Sequence, residues 1–174
     1  MVTAFSQRDP RWAGDPLGTA GGQTIGTAGC LITAVASGLC DLGAATNPAM
    51  LNAWLSQHGG YSNGNLFVWA AVGPLGVKLE QFIDCAKVDA PLGVIRDALT
   101  AGKVVIVELD SIPDGALHPH FARVLSVSAD GKDCALMDPW QPPGAEFCKL
   151  SAHYEAVGWN AARAIFAVAV YRKA

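Results

Sequence analysis

The period of the hydrophobic pattern changes midway along the chain. In the first half, apolar residues recur at helical spacing. Leu31, Val35 and Leu39 share one face of a segment near 29–40, a stripe that predicts a buried helix. Asn47 followed by Pro48 has the form of a helix start, Leu51, Trp54 and Leu55 continue as an apolar stripe, and Gly59-Gly60 supplies the stop. Residues 60–65 read as a loop leading into a short apolar helix over 66–72. From Val77 the period becomes two. Residues 77–83 alternate as a strand, Asp89 and Pro91 open a helix that Gly102 closes, and Val104-Val-Ile-Val-Glu-Leu109 is the run of a buried strand. A loop rich in Pro, Asp and Gly follows. Then come a strand with His120 at its head, a turn at Asp130-Gly131, a strand ending at Asp138, and two more strands over 145–150 and 165–171. Helices first and a mostly antiparallel sheet after them make an α+β arrangement, not the alternation of a parallel sheet.

The hairpin carries a geometric expectation. With Ala129-Asp130-Gly131 as a three-residue loop, Ser128 faces Lys132, His120 faces Trp140 and Asp138 faces Ala122. His120 and Asp138 then share a face as diagonal neighbours, about 7–8 Å apart at the backbone and within side-chain reach. A loop of two or four residues puts them on opposite faces unless a bulge intervenes.

Composition narrows the class. At 174 residues with 51% hydrophobic, the chain is long enough for one domain with a full core, spanning 1–174. No apolar run approaches the roughly 20 residues that span a bilayer, and no basic segment with an apolar h-region opens the chain. The expectation is a protein made in the cytoplasm without membrane insertion. The net charge is -3 with scattered Lys and Arg, so neither a nucleic-acid footprint nor a polybasic patch is present. The five cysteines are odd in number and form no C-x-x-C pair, which disfavours a disulfide framework and a structural zinc site. Cys40, Cys85, Cys134 and Cys148 read as small buried hydrophobes.

Cys30 stands apart. It lies where a polar, glycine-rich stretch, Gly21 to Gly29, meets the apolar helical run, so its thiol sits at a helix start, where unpaired N–H groups stabilise a thiolate. With His120 and Asp138 far downstream, the chain order Cys, His, acid is that of a cysteine hydrolase: the His deprotonates the thiol and the acid orients the ring. Acyl transfer also needs donors for the developing oxyanion. The Cys30 backbone N–H is one, and Gln7 and Gln23 are the side-chain candidates. His118 and His120 form an H-x-H pair without a further clustered ligand, so no metal or other cofactor is expected. His58 and His153 read as ordinary surface or satisfied residues.

Several segments together carry a family resemblance: Phe5-Ser-Gln-Arg-Asp-Pro-Arg-Trp12, Thr24-Ile-Gly-Thr-Ala-Gly-Cys30-Leu-Ile-Thr33, Asn52-Ala-Trp-Leu55, Gly59-Gly-Tyr-Ser-Asn-Gly-Asn-Leu66, His120-Phe121 and Asp138-Pro-Trp140. Over most of its length the chain resembles the papain-like cysteine peptidases that include bacteriocin-processing, double-glycine peptidases, and more closely their stand-alone bacterial and phage relatives. The resemblance implies a papain-like fold, Cys30 as nucleophile, His120 as general base and acid, Asp138 as orienting carboxylate and Gln7 as oxyanion donor, with Gln23 the alternative. Gly-Cys-Leu stands where processing relatives have Cys-Gly, so double-glycine specificity is not implied. Stand-alone relatives include phage lysis proteins, which makes cross-linked peptidoglycan peptides the leading substrate, in the manner of an endolysin released to the cell wall. Intracellular protein processing is second, and a catalytically silent binding module of the same fold is the alternative from another class.

Overall fold

The computed structural model describes residues 1–110, 116, 118–153 and 160–174. Most of the expected Pro-, Asp- and Gly-rich loop and the side chain of His153 lie outside the described residues. After an N-terminal segment of turns come helices α1 (Ile25–Ala28), α2 (Cys30–Asp41) and α3 (Pro48–Gln57), followed by a small hairpin of β1 (Tyr61–Ser62) and β2 (Leu66–Phe67). The rest of the chain comprises β3 (Val77–Asp84), α4 (Leu92–Thr100), β4 (Val104–Asp110), β5 (Pro119–Val127), β6 (Cys134–Met137), β7 (Phe147–Lys149), α5 (Leu150–His153), α6 (Ala161–Ala164) and β8 (Ile165–Lys173). Among the described residues, six strands form an antiparallel sheet in the order β3-β8-β4-β5-β6-β7. This is the α+β arrangement that the change of period predicts.

β4 is apolar from Val104 to Val107 because the sheet is covered on both sides there. Val105, Val107 and Leu109 are buried with Ile95 and Ala98 of α4 and with Leu150, Ala161 and Ala164. Val104 and Ile106 point the other way, into a second core with Ile32, Val35 and Leu39 of α2 and Leu51 and Leu55 of α3. Each fully buried side chain of this size contributes about 1.5–3 kcal/mol. Glu108 continues the second row and is only half-buried. α2 lies close against the sheet at Gly38, where a Cβ would come 2.3 Å from Val104 Cγ1. Arg123 of β5 adds a polar tie, donating from Nη1 to Ser37 Oγ at 3.1 Å and pairing through Nη2 with Asp41 at 2.8 Å.

Three local expectations are corrected. Residues 66–72 do not form a helix: Leu66–Phe67 pairs with Tyr61–Ser62 around a turn at Asn63-Gly64, and the following residues make turns and a 3-10 turn at Gly73–Leu75. The polar, glycine-rich stretch before Cys30 is not polar throughout, since Ile25–Ala28 is a helical turn with Ile25 fully buried. The strand expected over 145–150 is shorter, because Leu150 begins α5, whose Ser151 N–H and hydroxyl donate to Asp133 at 3.0 and 2.7 Å.

The close approach at Gly38 gives a test. Alanine is the better helix former by about 1 kcal/mol, yet Gly38→Ala is expected to lower stability by about 1–3 kcal/mol through overpacking against Val104. Urea denaturation measures it, and Val104→Ala in the same chain should recover part of the loss. Stabilisation by Gly38→Ala alone would contradict the contact.

Candidate active site

The junction between α1 and α2 sets the position of Cys30. The Gly29 N–H donates to Ile25 O at 2.8 Å, and a Cβ at Gly29 would lie 2.5 Å from that same oxygen, so only glycine fits this sharp turn. Cys30 is thereby the first residue of α2, in the turn whose N–H groups have no intrahelical acceptor and carry partial positive charge.

The β5–β6 hairpin supplies the other two groups. Its loop is one residue longer than expected, with the Ser128 N–H bonded to Asp133 O at 2.9 Å. A bulge between Val124 and Ser126 absorbs the extra residue, so that Val124 faces Leu136 and Arg123 faces Met137. The register at the far end is therefore the one that brings His120 and Asp138 together, and His120 Nε2 lies 2.7 Å from Asp138 Oδ1. Cys30 lines the same cleft as the ring and lies close enough to raise the His120 pKa. Of the H-x-H pair, it is His120 that meets Cys30.

Asp138 has no exposed surface, and such a carboxylate is tolerable only when paired and hydrogen-bonded. Oδ1 accepts from the Trp140 N–H at 2.9 Å and Oδ2 from Gln141 Nε2 at 3.0 Å, with the Cys148 thiol 3.9 Å from Oδ2. Burial works against a charged imidazole at His120. The hydrogen bonds and charges of Asp138 and Cys30 outweigh it and push His120 up from an ordinary 6.5 to about 9.

Both glutamine candidates line the same cleft of about 940 Å³ as Cys30 and His120, but in different states. Gln7 is fully buried. Its backbone N–H donates to Pro139 O at 2.8 Å and its Nε2 to Gly26 O at 3.0 Å, which fixes the amide orientation and leaves the second Nε2 hydrogen available. Gln23 is exposed and its side-chain oxygen accepts from Asn65 Nδ2.

Two participants are absent from the sequence reading. Gln141 braces Asp138 from three residues downstream, a spacing that the Asp-Pro-Trp-Gln turn makes readable in retrospect. Ser6 Oγ donates to Gln141 O at 2.6 Å, a contact between distant segments that no local pattern signals.

No family model matches the chain, and no curated protein matches it. A solved structure of a protein provisionally named a C39-like peptidase, from Bacillus anthracis, is similar to it with a TM-score of 0.50 and 12% sequence identity, over 82% of this chain and 88% of that one. What the two share at this identity is the fold, helices packed on an antiparallel sheet as in a C39-like peptidase.

The five thiols are free and differ sharply in surroundings. Burial pushes Cys134 up to about 11, with Asp133 adding to it, and Cys148 up to about 12, with Asp138 adding to it. Cys40 and Cys85 are also raised by burial. Only thiolate reacts, so a short iodoacetamide pulse at pH 7 is expected to label Cys30 at least about tenfold faster than the other four. Peptide mass spectrometry reads the ratio, and equal labelling of Cys30 and Cys134 would remove Cys30 from consideration as a nucleophile.

Proposed function

We propose that the protein is a cysteine hydrolase that cleaves peptide or amide bonds, with Cys30 as nucleophile, His120 as general acid and base, and Asp138 as the carboxylate that orients the ring. The observation that carries this reading is His120 itself, bonded to the buried Asp138 and sharing a cleft with Cys30, whose side chain raises its pKa. The sulfur attacks the substrate carbonyl carbon, and the oxyanion takes hydrogen bonds from the Cys30 N–H and Gln7 Nε2. His120 protonates the departing amine, leaving a thioester. Water, deprotonated by His120, then attacks the thioester and releases the acid and the thiol. The shared fold with a C39-like peptidase supports the assignment to peptide substrates. Cross-linked peptidoglycan peptides are the leading substrate, on the resemblance to stand-alone lysis proteins.

A zymogram on bacterial cell walls beside one on casein tests the substrate. Clearing of the walls by the protein, and none by Cys30→Ser, is expected. Clearing of casein alone would move the reading to protein processing, and no turnover of either by a protein whose Cys30 alkylates normally would favour a silent module.

The pH profile tests His120. A folded value of about 9 against an ordinary 6.5 keeps the ring cationic at neutral pH. The stability it adds is complete below about 6.5 and is lost as pH rises through about 9. The alkaline limb of kcat/KM is accordingly expected near 9, and Asp138→Asn should move it to lower pH by removing the countercharge. A limb that stays in place in Asp138→Asn would separate His120 from the activity.

Gln7→Ala is expected to lower kcat by about 100-fold with a much smaller change in KM, because an oxyanion bond strengthens as charge develops. Gln23→Ala should do little. The reverse pattern would transfer the oxyanion role to Gln23. Since the buried Gln7 amide also ties to Gly26, the urea midpoint of each variant has to accompany its kinetics.

A further inference from the structure

We propose that Glu108 makes an acidic subsite in this cleft, which takes an ammonium-bearing side chain of the substrate, of the lysine or diamino-acid type. The inference deepens the hydrolase reading and rests on it for the word substrate. Its basis is where the sheet places this carboxylate. Glu108 is opposite Phe121 on β5 and opposite Ala167 on β8, and its side chain lines the cleft that holds Cys30 and His120. Ala167 is too small to cover it, and beyond Ala167 the same row continues to Asp84 on β3.

The surroundings are matched to a cation on an aliphatic stem. Phe67, Trp69 and Phe121 line the cleft beside Glu108, with ring centroids 5.5 Å apart for Phe67–Trp69 and 5.9 Å for Trp69–Phe121. A lysine-like stem packs on such a wall while its ammonium head gains from the ring faces and from a carboxylate. Lys103 and Arg172 pair with Glu80, and Arg123 pairs with Asp41. Glu108 has no ion-pair partner among the described residues. Burial, and then the charge of Asp84, push its carboxyl up from the ordinary range, so a bound cation would relieve a half-buried anion.

The test uses the full chain and a set of peptide amides of one sequence, with lysine, norleucine or glutamate scanned through successive positions. Protection of Cys30 from iodoacetamide reports binding, and cleavage is followed in the same samples. At one position lysine is expected to protect about tenfold better than its uncharged isostere norleucine, with glutamate weakest, because an acceptor left unpaired discriminates strongly. In Glu108→Gln the lysine-to-norleucine ratio should fall to within about twofold of unity. Equal protection by the three peptides at every position would overturn the subsite on the unmodified chain alone, and so would a lysine preference that survives Glu108→Gln. A preference in protection without any cleavage would uphold the acidic subsite and reject the hydrolase. Cleavage with no lysine preference would do the opposite.

Discussion

A carboxylate without exposed surface has to be countered and hydrogen-bonded where it stands, and much of this site answers that demand at Asp138. His120 supplies the charge, while the Trp140 N–H and the Gln141 amide fill the remaining acceptor positions. These donors come from the turn that follows Asp138, and the turn is itself held. Pro139 O accepts from the Gln7 N–H at 2.8 Å and Gln141 O accepts from Ser6 Oγ at 2.6 Å, while the Arg8 guanidinium lies 5.3 Å from the centre of the Trp140 ring. The N-terminal segment is thus fastened to the same few residues that hold His120. Gln7 then reaches from that anchor to Gly26 in α1, the turn directly before the helix that starts at Cys30.

The elements most legible in the sequence are those whose signals are local. α2 and α3 show apolar stripes, α3 and α4 are followed by glycine stops, and the Asn47 cap is visible as a residue type beside Pro48. β4 is legible as an apolar run with a single polar residue before Leu109, because both its faces are covered. The elements that differ from the pattern depend on partners elsewhere. The run 66–72 is apolar enough for a helix, but the Asn63-Gly64 turn folds its first residues back onto Tyr61–Ser62. α5 takes its start from Asp133, in a different loop. The hairpin loop is one residue longer than the pattern predicts, and the bulge that compensates for it is invisible to alternation, since a bulge adds a residue without changing residue types.

The candidate site divides along the same line. Cys30, His120 and Asp138 could be named in advance because each stands at the end of a legible element, and their order along the chain limits the chemistry. Glu108 could not. Within Val104 to Leu109 it reads as one polar residue in a buried strand. Only the layering separates it from Val104 and Ile106, which lie in the same row but under α2 and α3, whereas Glu108 faces the cleft.

The sign of the charge nearest each sulfur separates two thiols that lie close to the same triad. Cys148 sits 3.9 Å from Asp138 Oδ2, and both burial and that carboxylate hold its proton in place, up to about 12. It can only donate. Cys30 meets the opposite face of the arrangement, the imidazole that Asp138 keeps cationic to about 9, and it does so from the positive end of α2. One buried anion therefore fixes a thiol as a structural donor on one side. On the other it acts through His120, which shares the cleft with Cys30, the only cysteine that lines it among the described residues.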